Sequence, residues 1–166
     1  MVMLRALLIC LLCLALNGCD SDTVPDRESL SHASISDSAF RQAVRDGNVA
    51  LVTTYLDDGY DVNRLGMGGD NALHEGILHF DVAKLLIERG IRVNQKHKFD
   101  GSTPLIVATI AGNVDAPTVK LLLDEGADPS ITDGHGKTAL DYALEYEKDH
   151  PDAYAPKVEL LKSSTE

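Results

Sequence analysis

Apolar positions recur along this chain in short bursts of helical spacing. Val52, Tyr55 and Leu56 stand at i, i+3 and i+4; so do Ala83, Leu86 and Ile87, and again Val119, Leu122 and Leu123. That spacing gathers apolar groups on one face of a short helix. A glycine closes each burst (Gly59, Gly90 and Gly126), and a residue without a Cβ can take the left-handed conformation that stops a helix. The glycines are 31 and 36 residues apart. Self-similarity at a period of about 33 residues predicts a stacked solenoid. A second helix is predicted upstream of each burst. Thr103-Pro104-Leu105 and Thr138-Ala139-Leu140 open two of them, and Asn71-Ala72-Leu73-His74 opens a looser third. The Thr or Asn side chain is expected to cap free backbone N–H groups, and Pro104 suits a first turn.

These residues resemble the ankyrin repeat: a turn, then Thr-Pro-Leu-His, two short antiparallel helices, and a Gly-Ala-Asp-Val-Asn exit. Residues 120–128 (Lys-Leu-Leu-Leu-Asp-Glu-Gly-Ala-Asp) match that exit, and residues 133–141 (Asp-Gly-His-Gly-Lys-Thr-Ala-Leu-Asp) match the next opening. The resemblance implies a mainly α solenoid of about four helix pairs with short β-turn fingers. It spans residues 36–163, with pairs near 37–63, 64–94, 95–130 and 131–162 and a tail from 163. The first pair lacks the Thr-Pro-Leu-His opening and reads as a cap. The interhelix turn of the second pair lacks the usual Gly-His. That of the third is longer and carries Asp115-Ala116-Pro117. In the fourth pair an insertion over 147–155 is expected before Pro156 restarts a helix with Val158, Leu160 and Leu161.

The N-terminus has the pattern of a targeting segment. Arg5 precedes an apolar stretch over residues 6–16. Its length, about eleven residues, is too short for a membrane-spanning helix, which needs about 20. It fits the core of a secretory signal. Leu16-Asn17-Gly18-Cys19 resembles the bacterial lipobox, although Asn17 replaces the usual small residue. The resemblance implies cleavage after residue 18 and lipidation of Cys19; the alternative is an ordinary cleaved signal that leaves Cys19 a free thiol. Asp20 resembles an inner-membrane retention signal, with the outer membrane as the alternative. Residues 20–35 are polar, carry Pro25 and read as a tether with a relaxed reach of about 20–24 Å. Cys10 and Cys13 lie within the segment to be removed, so no internal disulfide is expected.

The formal charge is −11 and falls to near −12 when Arg5 is removed. That bias excludes phosphate-backbone recognition and basic-patch docking on anionic lipid, and it suits a basic protein partner. No catalytic set, cofactor site, metal site or small-molecule substrate is expected. His74 and His79 flank a glutamate but stand five apart, about 140° around a helix, where one-face zinc binding needs four. Gly136-Lys137-Thr138 lacks the earlier glycine of a phosphate loop, since Ile131 occupies that place. Asp57, Asp58 and Asp61 lack the spacing of a calcium loop.

The resemblance implies that partners meet the finger tips and the exposed end of each first helix. By motif these positions are Arg45 and Asp46, Leu78 and His79, Ile110 and Ala111, and Glu145 and Tyr146 on the concave ladder. The tips contribute Met67 and Asp70, then Phe99, Asp100 and Ser102, then His135 and Lys137. Apolar members of the set either mark a contact surface or pack between repeats. The expectation is a lipid-anchored, periplasm-facing binding protein of a bacterial envelope. Its partner is expected to be a basic periplasmic effector or an envelope enzyme. One version is an immunity protein that neutralises a membrane-targeting, lipase-type toxin. The other is an envelope scaffold or oxidative-stress partner, because similar periplasmic ankyrin proteins are linked to tolerance of oxidants.

Overall fold

The computed structural model describes residues 36–165; Cys19, Asp20 and the tether lie outside them. Among the described residues there are eight helices and no strand. They are α1 (Asp37–Arg45), α2 (Val49–Asp57), α3 (Ala72–Gly76), α4 (Phe80–Glu88), α5 (Pro104–Ile110), α6 (Ala116–Asp124), α7 (Ala139–Glu147) and α8 (Pro151–Ser163). Each odd-numbered helix packs on the even-numbered helix after it and on the next odd-numbered one, and the even-numbered helices likewise touch in sequence. The result is two layers and four pairs. The core runs continuously between the layers through Phe40, Val44, Leu73, Leu86, Leu105, Leu122 and Leu161.

The predicted apolar faces are the buried ones: Val52, Ala83, Leu86, Val119 and Leu122 are fully enclosed. The three exit glycines have φ of 93°, 82° and 86°. In each exit the glycine N–H and the next N–H reach back to helix carbonyls, as in Tyr60 N–H to Tyr55 O at 3.0 Å and Ala127 N–H to Leu122 O at 2.8 Å. This pattern satisfies carbonyls that the helix end leaves orphaned.

The asparagine closing each exit has a further use. Asn63 donates to Gly90 O (3.0 Å) and accepts from Arg92 N–H (2.8 Å). Asn94 repeats both bonds one pair later, to Gly126 O (2.9 Å) and from Asp128 N–H (2.8 Å). Each exit is therefore riveted to the next. The series stops at Ser130, which among the described residues bonds only its neighbour Asp128.

Three expectations need correction. Asn71 holds the N-cap position of α3, but its side chain makes no cap bond; its amide donates to Arg92 O at 2.7 Å and its Oδ1 faces His74 Nδ1 at 2.9 Å. Ala116 and Pro117 belong to the first turn of α6, so the third interhelix turn is residues 111–115. The expected insertion over 147–155 is mostly helix. α8 starts at Pro151 and carries Pro156 inside it. Buried Tyr154, Lys157, Val158 and Leu161 keep helical spacing through that proline. Pro156 is exposed and forgoes one backbone bond near the helix start, which the packed face outweighs.

His74 joins the second and third pairs, with Nε2 3.3 Å from Ser102 O. A neutral imidazole has one N–H for two acceptors, Asn71 Oδ1 and that carbonyl. Burial nevertheless holds its pKa below the ordinary 6.5, against the pull of Ser102, Asp70 and Asn71 toward the charged form. A depressed folded pKa means that the unfolded chain binds the proton first, so His74 stabilises the fold above the unfolded value. That contribution is lost as pH falls below about 6.5 toward the folded value. Urea unfolding at pH 7.5 and 5.5 is expected to show a larger loss for the native chain than for His74→Gln. Equal losses would remove His74 as the source.

Candidate partner-binding face

Between the pairs, the chain forms three fingers. Each closes on a backbone bond: Gly66 N–H to Asp70 O (2.8 Å), His97 N–H to Ser102 O (2.8 Å) and Asp133 N–H to Lys137 O (3.0 Å). Neighbouring fingers are tied by Lys98 N–H to Gly68 O and Gly134 N–H to Asp100 O, both 2.7 Å. The middle finger closes over residues 97–102, one residue more than 66–70 or 133–137. Phe99 lies in that longer tip. It is 78% exposed, with its ring edge-on to His97 at 5.6 Å, and Met67 on the first finger is 99% exposed. Neither side chain gains by facing water, which makes them the barest apolar groups of the face.

Eight of the fifteen predicted partner residues line one of two cavities. Arg45, Met67 and Asp70 line a cavity of about 310 Å³ at the N-terminal end, together with Arg41 and Glu75. Asp100, Ser102, Ile110, Ala111 and His135 line a second of about 260 Å³ between the middle and last fingers, together with Val107, Asp133 and Tyr142. Arg41, Glu75, Asp133 and Tyr142 were missed by the sequence reading. Asp133 had a legible signal, because it opens the same turn that contributes His135 and Lys137.

Several predicted residues are occupied by the fold itself. Asp70 accepts from Arg41 Nη1 at 2.5 Å, and Ser102 is buried with its Oγ donating to Asp100 Oδ1 at 2.7 Å. His79 lies outside α3; its Nε2 is 2.9 Å from Arg45 O, and the ring packs under Gly47, where a Cβ would meet it at 2.7 Å. His74 and His79 thus serve different joints. Asp46 is exposed and accepts from Gln42 at 2.8 Å. Leu78 is 45% exposed, whereas Ile110 and Ala111 are half-buried against the core. Lys137 Nζ bonds Glu145 Oε2 at 2.5 Å and stands 5.0 Å over the Tyr142 ring. Tyr146 lies between Tyr142, on which it stacks at 6.4 Å, and Tyr154, whose ring is tilted to it at 5.4 Å. A further, mainly apolar cavity of about 430 Å³ lies on the outer layer, against Phe80, Pro117, Leu121 and Leu160.

Comparison with known proteins agrees with this architecture. The family model for ankyrin repeats matches residues 81–156 in three copies. Protein HOS4 of Saccharomyces cerevisiae is 40% identical over 104 residues, covering 61% of this chain and 9% of that protein. An ankyrin repeat-containing protein of Treponema pallidum is 33% identical over 113 residues, covering 67% and 37%. Protein PhlB of Serratia liquefaciens is 33% identical over 94 residues, covering 55% and 40%. The matched region spans less than half of each of these relatives. The paired helices and the glycine exits form a mainly α-helical ankyrin-repeat solenoid, in which the family model places ankyrin repeats at residues 81–156.

Proposed function

We propose that this chain is a periplasm-facing lipoprotein that uses its ankyrin domain to bind and neutralise a membrane-targeting toxin. Ankyrin repeats are protein-interaction modules, and such modules typically bind rather than catalyse. The observation that carries the reading is the finger face: Met67 and Phe99 stand bare at adjacent tips of a rigidly laddered surface. Exposed anchors on a fixed scaffold are what a protein interface needs. The lipobox-like run ending at Cys19 and the polar residues after it support display close to a membrane, where a lipase-type effector would act. The charge of −11 supports a basic partner.

Deleting the gene is expected to sensitise cells to one effector delivered to the periplasm, and restoring the full chain to reverse it. A Phe99→Ala chain is expected to melt at the native temperature yet bind that effector about tenfold more weakly. Unchanged resistance after deletion sinks the immunity reading. Peroxide sensitivity without toxin sensitivity would point instead to an envelope-protection partner.

A further inference from the structure

The cleft between the middle and last fingers has a chemistry of its own. Asp100 and Asp133 sit on neighbouring fingers that the Gly134-to-Asp100 backbone bond holds together. Asp100 Oδ1 accepts from Ser102 N–H (3.0 Å), Ser102 Oγ (2.7 Å) and His97 Nδ1 (2.9 Å), while no described residue donates to Oδ2. Asp133 Oδ1 accepts from the amides of His135 (2.8 Å) and Lys137 (3.1 Å), and among the described residues only the Tyr142 hydroxyl donates to its Oδ2, at 2.6 Å. A carboxylate offers about four acceptor positions, so both retain capacity. Burial pushes both carboxyls up, but these bonds outweigh it and hold both below the usual range. Two full negative charges therefore face one cleft.

The walls are apolar: Val107, Ile110 and Ala111 line it beneath the carboxylates. Such walls suit the methylene stem of a long basic side chain, whose head remains polar. The volume, about 260 Å³, lies below the roughly 300 Å³ at which small-molecule pockets begin. It is closer to the size of one side chain. Beside the cleft, a cation of the chain already packs on its Tyr142 wall. Lys137 Nζ stands over the Tyr142 ring, within the ~6 Å reach of a cation–π contact, and bonds Glu145.

We propose that this cleft seats an arginine or lysine side chain projecting from an extended segment of the protein partner. The proposal rests on the reading of the finger side as the partner face. It adds which chemical group the partner must present there.

The test selects ten-residue peptides from a random displayed library on the full chain in mild detergent, with Asp100→Asn and Phe99→Ala chains alongside. The expected result is a set of peptides sharing an arginine or lysine at one position. Changing that residue to citrulline or alanine, or Asp100 to Asn, is expected to weaken binding about tenfold when measured well below the melting temperature of each chain. Peptides that lose affinity on Phe99→Ala, but share no basic position or ignore Asp100→Asn, overturn the basic cleft and leave the partner face standing. If the library yields no peptide sensitive to either substitution, both readings fall.

Discussion

Replacing Arg41 with alanine is expected to cost the domain about 3 kcal/mol and to loosen its N-terminal pair first. The Arg41 side chain is 8% exposed, and its guanidinium joins three carboxylates and two carbonyls. Nη1 reaches Asp70 at 2.5 Å and Glu75 at 3.2 Å; Nη2 reaches Asp70 O at 3.0 Å and Arg64 O at 3.5 Å. Nε lies 3.3 Å from Asp37, an ion-pair distance outside hydrogen-bond geometry. Burial alone would lower the Arg41 pKa, but Asp70, Glu75 and Asp37 together raise it, so the cation is held firmly. Removing it leaves Asp70 without its cation, while Glu75 keeps Arg45 at 3.0 Å and Asp37 keeps Arg64 at 3.7 Å, and the three acids are only partly hydrated. Losing one partner of a buried pair costs about 3–5 kcal/mol, and the partial exposure of the acids places this case at the low end. Arg41→Lys should recover part of the loss, because a point charge cannot reproduce the fork. Denaturant unfolding gives the size, and hydrogen exchange gives the place: protection should fall in α1 and α2 before α7. A cost under about 1 kcal/mol would mean that the network is solvated and contributes little.

The second large effect is expected at the other end. Lys157 is 1% exposed, and its ammonium lies 3.2–3.3 Å from the carbonyls of Ala108, Thr109 and Ala111. The Tyr154 hydroxyl donates to Ile110 O at 3.0 Å, and the Tyr154 ring lies 4.8 Å from Lys157 Nζ. Four successive carbonyls at the end of α5 are thus met by side chains of α8. A cation is also well placed at the negative end of a helix. Burial pulls the ammonium below the ordinary lysine value, a cost these bonds offset. Lys157→Met keeps most of the stem and removes every donor. The expected cost is about 2 kcal/mol, from the orphaned carbonyls less the relieved burial of charge. Tyr154→Phe should cost less, about 1 kcal/mol, because it removes one neutral hydrogen bond. Thermal melts of both variants decide it. A Lys157→Met chain as stable as the native one would show the cap to be dispensable.

The parts of this fold that were legible in the sequence are those set by local chemistry. The i, i+3, i+4 triples place Val52, Leu86 and Leu122 in the core, and the exit glycines stop their helices. What escaped depends on partners distant in the chain. Asn71 reads as a cap, yet its amide is taken by Arg92, 21 residues away. Pro156 reads as a helix start, and only the docking of Tyr154 and Lys157 on α5 carries helix across it. On the partner face, Phe99 was visible as an apolar residue in a turn. That it lies in the finger with the extra residue appears only when the backbone bonds are aligned. Tyr142 was passed over because its meeting with Asp133 in one cleft is a property of two fingers and a helix together.

The asparagine rivets carry a consequence for how this molecule could grow. A pair ending in Asn63 or Asn94 presents a donor and an acceptor that any following exit loop of the same shape can meet with backbone alone. Ser130 offers no such coupling, and α8 closes the stack by grasping α5 instead. The chain is therefore modular at its middle joints and sealed at its C-terminal one. A duplicated copy of residues 64–94 belongs between the second and third pairs, where it lengthens the face without disturbing the seal.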